Sequence, residues 1–270
     1  MIDFDKLFFI AGPCVMESED FAYACACALK EIFATTNTPW IFKSSFDKAN
    51  RSACDGFRGI PMDRGLRVLE KIRSTLGVAV LTDVHEAWQA GPVAEVADVL
   101  QVPALLCRQT DLVMAAAAAG RPVNYKKGQF MAPWDMGNVI AKARRAASEA
   151  GHGPGQFLVC ERGTMFGYNN LVVDMRSFPL MAEATGCPVV FDATHSVQLP
   201  GALGSASGGD AALAPVLARA AMATGHVSGI FFETHPEPAK ALCDAHVMLP
   251  FREVAPLVAQ LRAIAASLRP

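Results

Sequence analysis

The sequence predicts an α/β chain closed into one (β/α)8 TIM barrel, and three observations lead there. Short apolar runs recur eight times at fairly regular intervals. They are mostly non-alternating, as strands covered on both faces are. Alanine-rich segments of helical periodicity lie between them. Eight such units fit the 270 residues as one catalytic domain, residues 1–270. A doubly wound open sheet is the alternative. It usually shows fewer strands and a glycine-rich first turn, whereas Ala11-Gly12-Pro13-Cys14 is not GxGxxG.

The first run, residues 8–10, leads into Cys14, and a helical pattern follows over 21–34. The second, 40–42, leads into Lys43, then Lys48, Asn50 and Arg51, with a helix over 65–76. The third, 78–81, is followed by Thr82-Asp83-Val84-His85-Glu86. The fourth, 99–102, contains Gln101 and precedes Arg108, Gln109, Asp111 and a helix over 111–119. The fifth, 123–125, ends at Lys126-Lys127 before a helix over 138–150. The sixth, 157–160, ends at Glu161-Arg162. The seventh, 189–191, precedes Asp192, Thr194 and His195, with a helix over 211–223. The eighth, 229–232, ends at Glu233-Thr234-His235, and a last helix covers 253–268. Residues 201–209, GALGSASGG, are the most loop-like stretch: either a mobile lid or a flexible connection.

Composition excludes several classes. Hydrophobic residues at 52% against 19% charged supply a sizeable core and argue against disorder. A net charge of -2 gives no general affinity for nucleic acid or acidic membranes. No apolar run reaches the roughly 18 residues of a membrane span. Met1-Ile2-Asp3-Phe4-Asp5 lacks a basic region and a cleavage signal, so a soluble cytoplasmic protein is expected. The eight cysteines include no CxxC pair, and buried reduced thiols are the default expectation.

All strand C-terminal ends of a barrel open on one face. Charges there are costly unless they meet ligands or one another. Lys43, Lys48, Arg51, Arg108, Lys126 and Arg162 are expected to converge on one cavity and bind more than one phosphate or carboxylate. A network of structural ion pairs is the plainer reading. Strand parity places only one residue of Lys126-Lys127 in the lumen, and Lys126 shares a side with Asn124. Closure makes the eighth strand a neighbour of the first, so Cys14, His195 and Glu233 end contiguous strands, with Asp244 in the next loop. A thiolate, an imidazole and two carboxylates suit a borderline divalent metal ion: Fe(II), Zn(II) or Mn(II). Cys243, His235 and His85 are rival ligands by position. Each residue also has a structural reading: Cys14 a core thiol, Glu233 a structural anion, Asp244 a helix cap.

The segments IAGPC, FKSSFDKANRS, LTDVHE, QVPALLCRQTDL, KKGQFMAPWDMGN, ERGTMFGYNNLVVDM, FDATHSVQLPG and ETHPEPAKALCD run from Ile10 to Asp244. In this ordered series the chain resembles the 3-deoxy-D-manno-octulosonate 8-phosphate (KDO-8-phosphate) synthases. The resemblance implies a (β/α)8 barrel, a homotetramer, and condensation of phosphoenolpyruvate with D-arabinose 5-phosphate for lipopolysaccharide biosynthesis. It implies that KANRS grips the aldose phosphate: Asn50 at sugar hydroxyls, Arg51 and Ser52 at phosphate, Lys48 between the substrates. A KPRTS-like segment would mark the synthase of the seven-carbon shikimate precursor. The family commonly reads RSS where this chain has Arg51-Ser52-Ala53, so one auxiliary hydroxyl is missing.

By the same resemblance Lys43, Lys48, Lys126 and Arg162 bind phosphoenolpyruvate, assisted by Gln101 and the backbone near Ala104. Arg108 reaches the aldose phosphate of a neighbouring subunit. Cysteine after the first strand marks the metal-dependent class, and Cys14, His195, Glu233 and Asp244 match its ligand positions. Lys48, Lys126, His195 and Asp244 are the expected catalytic residues. The rival functions are a related condensing synthase using erythrose 4-phosphate or an N-acetylated sugar, and a non-catalytic sugar-phosphate-binding barrel.

Overall fold

The computed structural model describes residues 2–50, 53–204 and 207–268. Arg51 and Ser52, assigned above to the aldose phosphate, lie outside the described residues, as do positions 205 and 206 of the loop-like stretch.

Eight parallel strands close into a barrel: β1 (Phe8–Gly12), β2 (Trp40–Lys43), β3 (Ala79–Asp83), β4 (Val99–Val102), β5 (Val123–Lys126), β6 (Phe157–Glu161), β7 (Val189–Asp192) and β8 (Gly229–His235). Each pairs with its sequence neighbour, and β8 returns to β1 in a register running from Phe8↔Gly229 to Gly12↔Glu233. The helices are α1 (Glu19–Thr36), α2 (Met62–Leu76), α3 (Ala90–Val96), α4 (Thr110–Ala118), α5 (Met136–Glu149), α6 (Ser177–Thr185), α7 (Ala214–Ala223) and α8 (Phe251–Ser267). They pack outside the sheet, their apolar stripes against its outward-facing residues. The sequence also sets their ends: the Ser18 hydroxyl accepts the Phe21 amide at α1, and Gly77 closes α2 in the left-handed conformation.

Several strands run further than the apolar runs suggest. β3 reaches Asp83, β5 Lys126, β7 Asp192 and β8 His235. The polar residues are thus part of the ladder rather than the loops after it. Alternation explains this. The lower lumen is filled by Ile10, Ile41, Leu81, Val99, Val190 and Phe231. Two residues further on, the same inward positions of five strands hold Lys43, Asp83, Gln101, Asp192 and Glu233, all buried. Burial of each lower-layer side chain contributes about 1.5–3 kcal/mol, so the floor stabilises while the upper layer carries charge.

Two helices lack a clear signal in the sequence. α3 and α6 are short, and each has a proline in its first turn, Pro92 and Pro179, where the missing N–H costs little. The segment 211–223 divides into a 3-10 turn, Ala211–Leu213, and α7. Among the described residues, no helix is long and apolar enough to cross a membrane.

Gly12 fixes the approach of β1 to β2. A Cβ there would collide with the Lys43 carbonyl oxygen. Gly91 in α3 has no atom within 4 Å of such a Cβ. Gly12→Ala is expected to lower stability by about 1–3 kcal/mol through overpacking. Gly91→Ala should raise it by about 0.5–1 kcal/mol through helix propensity. Denaturant melts of the two variants check the contrast.

Candidate functional site

A cavity of about 500 Å³ opens among the strand C-terminal ends and the loops that follow them. Lys43, Lys48, Asn50, Gln101, Ala104, Lys126 and Arg162 line it. His195, Glu233 and Asp244 line the same space. Arg108 does not, which corrects the expectation that it converges here. After the 3-10 turn Ala104–Leu106, Cys107 turns inward against Met131 and Arg108 turns out to solvent.

The upper layer is a set of buried ion pairs. The Lys43 ammonium donates to Glu233 Oε1 at 2.5 Å and to the Cys14 carbonyl at 2.8 Å. Burial alone would raise the Glu233 carboxyl, but Lys43, His195 and Lys48 together hold it down to about 2, so it stays ionised. Burial also pushes the Lys43 ammonium below its usual range, against the pull of Glu233. Lys48 donates to Ser45 Oγ at 3.0 Å and lies 3.8 Å from Asp83 and 3.9 Å from Glu233. Asp83 accepts from Ser45 and Gln101, and Asn124 donates to Gln101 Oε1 at 2.8 Å. Three of the six cations expected to await anions, Lys43, Lys48 and Lys126, therefore already face carboxylates.

Asp192, which ends the seventh strand, is a site residue for which the sequence suggests no role. Its Oδ2 accepts from Lys126 Nζ at 2.5 Å and lies 2.7 Å from His195 Nδ1, while Oδ1 accepts the His195 amide at 2.9 Å. The imidazole is thereby held with Nε2 toward Glu233 and Asp244, at 3.8 and 4.0 Å. Lys126 Nζ also sits 3.5 Å from the Phe231 ring centroid. Inward parity two residues after Val190 was the signal available for Asp192. Lys127 points the other way. Its buried ammonium meets Thr164 Oγ1 at 3.0 Å, the Met131 carbonyl at 3.2 Å and Glu161 Oε1 at 3.4 Å, tying the loop after β5 to the loop after β6.

Potential metal donors form two triplets that share Asp244: Cys14, Cys243 and Asp244, and His195, Glu233 and Asp244, with donor atoms in each within 4.8 Å of one another. Glu233 Oε2 is buried with no hydrogen-bond partner. An ionised oxygen left alone in so dry a place fits a missing cation. Of the positional rivals, Cys243 joins the cluster. His85 lines the cavity but lies outside both triplets. His235 turns to α1, with its ring 5.0 Å from Phe21 and its Nδ1 accepting the Glu237 amide.

Cys14 and Cys243 bring their sulfurs together, with Cα atoms 6.2 Å apart; the other six cysteines stand apart from one another. The loop after β8 folds back over β1 and places the two sulfurs side by side. Both also lie against Asp244 Oδ2, at 3.0 and 3.1 Å. A carboxylate accepts such contacts from thiols or shares them with a cation, so two soft donors stand at this point.

Asp83 gives the site a pH signature. Burial alone would raise its carboxyl, yet Lys48 and then Lys43 hold it well below the ordinary 3.8. The stability it contributes is complete above pH 3.8, its unfolded value, and is lost as pH falls toward the lower folded value. Asp83→Asn should cost about 3–5 kcal/mol at neutral pH by stranding buried cations. It should also flatten the remaining acid dependence below that pH. Urea melts of both proteins across the acid range measure the two effects.

The chain matches the family model described as the DAHP synthetase I family over residues 3–266. It is 57% identical over 266 residues to the 2-dehydro-3-deoxyphosphooctonate aldolase of Ralstonia pickettii (strain 12J), covering 98% of this chain and 93% of that protein. The protein of the same name from Burkholderia mallei (strain SAVP1) is 58% identical over 261 residues, 96% of this chain and 91% of the relative. That from Laribacter hongkongensis (strain HLHK9) is 58% identical over 255 residues, 94% and 89% of the two chains. With its barrel and its charged upper layer, the chain belongs to the DAHP synthetase I family.

Proposed function

We propose that this chain condenses phosphoenolpyruvate with D-arabinose 5-phosphate and water, giving 3-deoxy-D-manno-octulosonate 8-phosphate and inorganic phosphate for the lipopolysaccharide inner core. The carrying observation is a cationic layer directly beside the Cys14, His195, Glu233 and Asp244 donors, in a chain 57–58% identical to named phosphooctonate aldolases.

Phosphoenolpyruvate sits deep, against Lys43, Lys48, Lys126 and Arg162, with Gln101 and the Ala104 backbone assisting. Arg162 is the principal anchor. Its Nη1 is buried without a protein partner, while Nη2 is already fixed by Gln198. D-Arabinose 5-phosphate lies nearer the mouth, its hydroxyls at Asn50 and its phosphate at Arg51 and Ser52. Carbon 3 of the enol attacks the aldehyde, water adds at carbon 2, and phosphate leaves by C–O cleavage. Lys48 lies between the two substrates and offsets the repulsion of two anions held together. Asp192 fixes the Lys126 ammonium and orients His195. His195, Asp244 and Glu233 move the protons of water addition and phosphate departure.

Cys14, His195, Glu233 and Asp244 hold a divalent ion, Fe(II), Zn(II) or Mn(II). When bound, that ion supplies a Lewis acid beside the reacting carbonyl and water. Cys14 serves as a ligand only as a free thiolate. The whole chain acts as one catalytic domain in a cytoplasmic homotetramer, where the exposed Arg108 reaches the aldose phosphate of a neighbouring subunit.

Phosphate release from phosphoenolpyruvate should require D-arabinose 5-phosphate and not occur with erythrose 4-phosphate or N-acetylated sugars. Preference for either rival aldehyde replaces the assignment. Treatment with chelator should abolish the reaction, and divalent metal should restore it. Full turnover in excess chelator removes the metal reading. Arg162→Ala should raise KM for phosphoenolpyruvate roughly 10- to 100-fold, the scale of one charge-assisted contact, as read by initial rates.

A further inference from the structure

Gln198 occupies a position no role above explains. It begins the short ribbon in which Gln198–Leu199 pairs antiparallel with Gly208–Gly209, and it is 9% exposed. Its Oε1 accepts from Arg162 Nη2 at 2.9 Å, and its Nε2 donates to Asp244 Oδ1 at 2.9 Å. The amide cannot be reversed, because a guanidinium only donates and a carboxylate only accepts. Few side chains fit: the link needs an acceptor at one end and a donor at the other, across a gap neither neighbour spans alone.

The same bridge decides which atoms remain available. With Nη2 engaged, Arg162 keeps Nη1 buried and unpartnered. With Oδ1 engaged, Asp244 keeps Oδ2 for the Cys14 and Cys243 sulfurs and the His195 side. The Asp244 backbone sits at φ 50, in the left-handed region that favours glycine. One amide thus orients an anion-binding group and a metal-binding group at once.

We propose that Gln198 is a positioning residue that couples anion binding at Arg162 to metal binding at Asp244. An anion on Nη1 immobilises the guanidinium, which holds the amide, which holds the carboxylate in its ligating orientation. The second ligand then meets a group already ordered, and the coupling is reciprocal. The inference rests on the metal and phosphoenolpyruvate reading above.

The test measures Mn(II) affinity of the reduced full-length protein, from the electron paramagnetic resonance signal of the free ion, with and without saturating phosphoenolpyruvate. Wild-type protein should bind Mn(II) about 5- to 10-fold more tightly with phosphoenolpyruvate, within the usual range of coupling. Gln198→Met, of similar shape, should lose that enhancement and raise KM for phosphoenolpyruvate about 10-fold. Gln198→Glu keeps the acceptor for Arg162 but has no donor for Asp244. It should lose the enhancement while KM stays within about 3-fold of wild type, a split that general damage to the fold does not produce. If Gln198→Met does not fold, Gln198→Glu still decides. An undiminished enhancement in Gln198→Glu, or none in wild type, overturns the coupling while leaving the metal reading intact. Wild-type protein that binds no Mn(II) overturns the metal reading and the coupling with it.

Discussion

The ion pair between Lys43 and Glu233 is the constraint around which the upper barrel is arranged. The two residues belong to β2 and β8, which do not pair with each other; β1 lies between them. Gly12, in register with Glu233, adds no side chain where the pair meets across β1. Both charges are essentially inaccessible to water. Such a pair gains little net stability over an apolar replacement, because desolvation cancels most of the attraction. Its consequence is placement. Glu233 is ionised and fixed: Oε1 faces Lys43, Lys48 and the His195 ring, and Oε2 has no hydrogen-bond partner.

The barrel separates two tasks along its axis. The lower lumen layers are apolar and close-packed, so side chains such as Ile41 and Val190 tie the strands together without polar atoms to satisfy. The upper layer has the opposite composition, and every charge in it has a chosen neighbour: Lys43 with Glu233, Lys48 with Asp83, Lys126 with Asp192. The floor holds the strand ends rigidly enough for these pairs to keep their geometry. That rigidity is what a preorganised electrostatic site requires.

Much of this was legible in the residues. Eight apolar runs, each followed by a polar residue type that a buried strand end does not tolerate idly, gave both the barrel and the face of the site. Parity put Lys126 rather than Lys127 toward the lumen, and it also bears on Asp192, whose neighbour His195 drew the attention instead. Three features were not legible. The strands continue to Asp83, Lys126 and His235 because each polar residue pairs with a strand far away in sequence, whereas polarity alone suggests a loop. Arg108 was drawn into the cavity because its place after a strand says nothing about which way a 3-10 turn will aim it. Cys243 meets Cys14 only through the path of the loop after β8, which no periodicity encodes.

The charge balance of the cavity differs from the one its lysines suggest. Among the described residues Lys43, Lys48, Lys126 and Arg162 are set against Asp83, Asp192, Glu233 and Asp244, so the formal charges cancel. A cavity whose formal charges cancel has no general reason to collect two multiply charged anions. What breaks the balance is local. Arg162, held by Gln198, presents an unpartnered N–H, and Glu233 presents an unpartnered oxygen. A divalent cation taken up at the carboxylate side leaves the cavity net positive, whereas an anion taken up at Arg162 alone leaves it net negative. Electrostatics therefore favours a site in which the cation makes the anion welcome, and the one amide between them lies where that dependence can be transmitted through contact as well as through charge.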